Sequence, residues 1–275
     1  MSMVTLFTDD LLAKFEEVQV TNLERIDESD RAECLKLEQL FKETASFMQT
    51  YLDFIERHEV KNEWFDSNKL SKEMTENLED LTKRFIRNTV YHFEKKYDVQ
   101  IDKESIISKY NHQISYEQIV DEIFLQLGGH SFQEKAITQL KDKLRKQFHE
   151  GYSEPELRNK KVVIQNYLSW NDWKLKSGNE YSLRYESKDK LMVLFEAVSH
   201  FETGNRGVIG SLNSLISGYD RYSKFQFEKF ELDWLNKVQS FKPFKNRKVE
   251  IEFASHELAA QFIKDYCGRM GGEGV

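Results

Sequence analysis

Proline is almost missing from this chain of 275 residues; Pro155 and Pro243 are the only two. Nothing in the first 150 residues therefore forces a helix to break. Two separated prolines also exclude the N-P-P-Y/F type motif of adenine methyltransferases. Cysteine is equally scarce. Cys34 and Cys267 lie far apart on helical patterns, which predicts reduced thiols in a reducing compartment rather than a disulfide framework. No apolar run approaches the ~20 residues that a membrane span needs. The opening stretch, "MSMVTLFTDDLLAKFEE", lacks the basic and apolar regions of a signal peptide. Together these absences predict a cytoplasmic protein with no membrane contact.

Catalytic motifs are missing as well. His256-Glu257 starts like a zinc-protease helix, but no second imidazole follows one turn on. The remaining histidines are scattered without ligand spacing. "GNRGVIGS", residues 204–211, has five residues between its outer glycines and no following Lys, so it is not a phosphate loop. It reads as a glycine turn ahead of a helix, where Asn205 and Arg206 are placed to meet an anion. No G-x-S-x-G elbow occurs. No cofactor and no metal are expected, and enzyme is the less favoured class.

What the chain does have is charge and aromatic rings. Charged residues make up 32% and apolar residues 39%, with twenty Phe and twelve Tyr to build a core. Residues 1–150 carry 21 Lys and Arg against 30 Asp and Glu, whereas residues 151–275 carry 19 against 17. An acidic first half repels phosphate backbones, so only the second half could meet nucleic acid electrostatically.

The first half reads as helix. "ECLKLEQLFKETASFMQTYLDFIERH" sets Leu37, Leu40, Phe41, Phe47, Met48, Tyr51, Phe54 and Ile55 at helical spacing, read as one apolar stripe. Leu78, Leu81, Phe85, Val90 and Phe93 mark a second long helix. Ser115 starts a third that stops at Gly128-Gly129, and Ser131 with Glu134 makes the capping box of a fourth. "GYSEPELRNKK", residues 151–161, changes texture and is the expected boundary. Beyond it the period falls to two. Strands are expected over "KKVVIQNYLSW", "KSGNEYSLRY", "FEKFELDWLNKVQSF" and "RKVEIEF", the last two joined at Pro243 as a hairpin with a six- or seven-residue loop. Helices are expected over "KDKLMVLFEAVSHF", "GVIGSLNSLI" and "HELAAQFIKDYC". The expected fold is α+β: a helical bundle over 1–150, packed with a smaller antiparallel sheet and flanking helices over 151–275, as two regions or one continuous domain.

Two places could bind something. The hairpin tip gathers Lys242, Lys245, Arg247 and Lys248 around Phe241 and Phe244. Glu250 and Glu252 on the outward side of the next strand oppose a phosphate backbone, which confines any contact to the tip. "LSWNDWKLK" holds Trp170, Asn171, Asp172 and Trp173 in a turn that could stack a base; its competing reading is a pair of indoles capping the core.

The order of four segments resembles the bacterial domain of unknown function 4942, found in prophage, genomic-island and other mobile-element proteins. The similar pieces are "MTENLEDLTKRF", "KKVVIQNYLSWNDWKL", "KDKLMVLFEAVSHFETGNRGVIGSL" and "FKPFKNRKVEIEFASHELAAQF", within about residues 64–266. Where the family has an Asn/Gly-rich turn before its last strand, this chain has Pro243 and Lys245 and keeps only Asn246. The family has no established activity to transfer. The link of some members to DNA methyltransferase domains implies a nucleic-acid setting. The resulting expectation is a non-catalytic accessory protein of a mobile element that acts through protein contacts, with a homo-oligomer among the options. The alternative is a nucleic-acid-binding module that uses the hairpin tip, Arg206 and the tryptophan turn.

Overall fold

The computed structural model describes residues 22–58, 66–149, 152–171, 181–217, 225 and 227–268. The first half of the expected strand over 176–185 falls outside them, as do the first 21 residues, Asp172 and Trp173. The chain divides into two compact units, Met1–Ala136 and Ile137–Val275. The first is helical and the second carries the sheet, so the fold is α+β.

Two long antiparallel partners dominate the first unit: α1 (Glu28–Arg57) and α2 (Ser67–Tyr97). The absence of proline permits their length, and Asp66 caps α2 by accepting from the Asn68 amide. Phe41 of α1 stacks on Phe85 of α2 with ring centroids 4.4 Å apart. Thr82 and Thr89, buried on α2, return their hydroxyls to the carbonyls of Leu78 and Phe85. Their polar atoms are thereby satisfied inside an apolar seam. Short α3 (Lys103–Ile107) and amphipathic α4 (Tyr116–Leu127) close the core. The Ser115/Gln118 capping box starts α4, and Gly128 ends it at φ 65°, a left-handed conformation that costs glycine little. Glu38, buried on α1, accepts from the Tyr116 amide and docks that helix start. Helix α5 (Phe132–Arg145) opens with the expected Ser131–Glu134 box, and the division between units falls within it.

The α1 stripe is not one face. Phe41, Leu52 and Ile55 are buried with Cys34 and Ala45, while Leu40, Phe47, Tyr51 and Phe54 are exposed. At 100° per residue the exposed set lies about 100° round the helix from the buried set. The expectation of a single stripe is corrected accordingly: two apolar rows run side by side, and the core of this unit buries only one of them.

The second unit is built on a five-stranded antiparallel sheet in the order β1-β2-β5-β4-β3. Strands β1 (Pro155–Arg158), inside the expected boundary stretch, and β2 (Lys161–Ile164), within the expected strand that follows it, form a tight hairpin. The long run expected as one strand before Pro243 is instead β3 (Phe230–Glu231), a turn, and β4 (Val238–Pro243). Strand β5 (Val249–Phe253) completes the sheet. A bulge between Val238 and Ser240 lets Val238 keep its place opposite Phe253 while Ser240 sits opposite Glu252. Helix α6 (Tyr185–Thr203) and helix α8 (His256–Phe262) cover the apolar face, where Phe195 meets Phe241 and Phe201 meets both Phe253 and Phe262 edge to face. Short α7 (Gly210–Ser217) follows the glycine turn, as expected. Among the described residues no helix is long and apolar enough to cross a membrane.

Candidate functional site

Period-two alternation puts Val249, Ile251 and Phe253 into the core and turns Glu250 and Glu252 outward. The loop Phe244–Lys248 between β4 and β5 is one or two residues shorter than expected, because β4 runs on through Pro243. A turn closes it: the Arg247 amide donates to the Phe244 carbonyl at 3.0 Å, and the Phe244 amide to the Lys248 carbonyl at 2.9 Å. Arg247 holds φ at 71°, an unusual value for a branched-off side chain of this size. Lys245, Asn246 and Arg247 are exposed at the tip. Lys248 instead bonds Glu250 at 2.7 Å and lies over the Phe244 ring at 4.0 Å from its centroid, and Lys242 lies 5.0 Å from the same centroid.

The carboxylates of β5 are not a bare acidic face. Lys160 reaches Glu252 at 2.8 Å, Lys229 reaches it at 3.3 Å, and Lys161 reaches Glu250 at 3.4 Å. The Lys160 hydrogen bond, opposed by burial and aided by Lys229, holds the Glu252 carboxyl below its ordinary range. For Glu250, burial raises the pKa, but Lys248 and Lys161 outweigh it and the net direction is down. Outer side and tip together carry Arg158, Lys160, Lys161, Lys229, Lys242, Lys245, Arg247 and Lys248 against Glu156, Glu231, Glu250 and Glu252. The premise on which Glu250 and Glu252 confined contact to the tip, an acidic strand face, is corrected: cations from two other segments, Lys160-Lys161 and Lys229, pair with them, and the surface has a positive excess.

The other expected residues separate. Trp170 is 3% exposed and packs against Tyr181, Phe225 and Phe227. Its Nε1 donates to the Lys245 carbonyl at 3.1 Å. An indole so enclosed has no free face for a base; it supports the hairpin turn from beneath, in accord with the core-capping reading. Asn171 is tied to Ser182 through both backbone and side chain. Arg206 is half-buried and bonds Glu196 of α6 at 2.8 Å, so a carboxylate already occupies the place an anion would take. Asn205 is exposed, its amide donating to Thr203 Oγ1.

A polar cluster in the first unit was not expected. Asp30, fully buried at the start of α1, accepts from Lys96 Nζ at 2.7 Å and Tyr97 OH at 2.6 Å, and bonds His92 Nε2 at 2.7 Å. Burial raises the Asp30 pKa, but the bonds from Lys96, Tyr97 and His92 overcome it and lower the net value. His92, Lys96 and Tyr97 share one face of α2 by their i, i+4, i+5 spacing, which was legible; their partner 60 residues away was not. The adjacent depression, about 520 Å³, is lined by Glu33, Leu37, Asn88, Tyr91 and Lys95. Neighbouring Cys34 is sealed, and burial, with Asp30, Glu33 and Glu38, pushes its thiol up to about 12. That thiol is no nucleophile. The cluster fastens the first turn of α1 to the last of α2.

Among the described residues no group of three or more His, Cys, Asp or Glu is placed to hold a metal ion. No protein-family model, curated protein or solved structure matches the chain.

Proposed function

We propose that the protein is a non-catalytic accessory protein that works through contacts with other protein, made by the second apolar row of α1. One observation carries this reading: Leu40, Phe47, Tyr51 and Phe54 are exposed along one helix, Phe47 at 77%. Isolated apolar residues on a surface are ordinary, but an aligned row of four large ones marks a contact surface. The segment order shared with the mobile-element family supports a setting in a prophage or genomic island. A photo-cross-linking residue placed at Phe47 in the native cells tests the reading. A covalent adduct with a polypeptide is expected; no protein adduct overturns it.

A second reading, contact with nucleic acid, is supported by the cations around β5 and at the hairpin tip. Binding of DNA is then expected to fall steeply with salt, because phosphate contacts release counterions. Lys245→Glu/Arg247→Glu is expected to abolish it while the circular dichroism of the fold persists. No retention on immobilised DNA at low salt removes this reading.

A further inference from the structure

The exposed row has a length, an area and a charge order, and these select its occupant. Leu40, Phe47, Tyr51 and Phe54, joined by Tyr91 of α2 beside Leu37, are 66%, 77%, 40%, 57% and 58% exposed. At roughly 200 Å² for a large side chain, they offer about 600 Å² of apolar surface. A standard interface buries about 800 Å² per partner, and the more apolar homodimer kind is about 65% non-polar, which requires about 520 Å². The four α1 residues supply about 480 Å² of it, and Tyr91 brings the total past the requirement.

We infer that the occupant is a second copy of this chain, with α1 packed antiparallel against α1 of its twin across a two-fold axis near Thr50. This inference rests on the protein-contact reading above and names its partner. A two-fold interface must be self-complementary. Antiparallel about the level of Gln49, one residue from Thr50, Phe47 faces Tyr51 of the second copy, and Phe54 faces the smaller Thr44, which leaves room for its ring. On the rim, exposed Glu43 lies two residues, about 3 Å, from level with exposed Arg57 of the second copy, within reach of the long arginine side chain, and the same pair recurs on the other side of the axis. A parallel arrangement sets Glu43 against Glu43 and Arg57 against Arg57, like charges at both ends. Only the antiparallel arrangement satisfies rings and charges together. The overlap from Leu40 to His58 is about 27 Å, well within a 30-residue helix.

The test uses the full chain in sedimentation equilibrium at about 50 μM, above the micromolar to picomolar range that interfaces of this size span. The wild type is expected at twice the chain mass, and Phe47→Glu/Phe54→Glu at the chain mass with unchanged helix content. Since that double change could unfold the chain, Thr50→Cys provides an arm that leaves the row intact. A short bismaleimide is expected to link Thr50→Cys into a covalent dimer, and to leave Lys42→Cys, on the opposite side of α1, unlinked. A monomeric wild type, or a dimer in which Thr50→Cys does not link, overturns the inference. If the Phe47 photo-adduct is then a different polypeptide, the protein-contact reading stands without the twin; if there is no adduct, both fall.

Discussion

Asp30 shows how one buried carboxylate sets a pH range. Its pKa is lowered in the folded state from an unfolded value of 3.8, so its contribution is complete above about that pH and is lost as pH falls through the lower folded value. Lys96 is raised from 10.5: burial works against the charge, and the bonds to Asp30 and Asp27 overcome that. Its contribution is complete below 10.5 and is lost as pH rises through the folded value. Stability from the pair is therefore level through neutral pH. Lys96→Met leaves a buried carboxylate without its cation and is expected to cost about 3 kcal/mol in urea unfolding, with the acid limb moved to higher pH. An unchanged acid limb would mean that Tyr97 and His92 alone hold the charge. Arg247 gives the opposite case. At φ 71° a glycine is relieved of the side-chain penalty, so Arg247→Gly is expected to stabilise the second unit by up to about 1 kcal/mol while weakening any DNA retention. Retention unaffected by that change would take Arg247 out of the contact. Arg247 was legible as a basic residue; its left-handed backbone was not, because Asn246 is the residue in the loop that sequence alone would assign there.

At the scale of elements, α1 separates what periodicity can and cannot tell. Helical spacing located the helix, yet Phe41 and Phe47 look alike in the sequence and differ from 3% to 77% in exposure. Phe41→Ala is expected to cost about 3–5 kcal/mol, because it leaves a cavity against Phe85. Phe47→Ser is expected to leave the melting of α1 within about 0.5 kcal/mol wherever the chain is monomeric. Thermal unfolding at low protein concentration distinguishes them, and equal losses would place both rows in one core. The capping residues Ser115 and Ser131 were readable because a cap is local: the hydroxyl reaches an amide three residues on. The strand within the boundary expected over 151–161 was hidden for a related reason. Pro155 suggests a break, but at the first position of edge strand β1 it removes no required sheet bond.

For the molecule as a whole, the sequence by itself determined the class of the fold. A proline-free helical half and a period-two half are local properties of the backbone and of alternating side chains, so they persist whatever packs against what. It also located the basic tip and singled out Trp170. Tertiary structure alone decided what surrounds them: the adjacent Lys160 and Lys161 and the distant Lys229 come to Glu250 and Glu252, and Trp170 enters the core beneath Lys245. It alone decided, too, which apolar row of α1 is buried. The reason is that strand order and helix contact join residues distant along the chain, and neither composition nor spacing records which face meets a neighbour and which meets water.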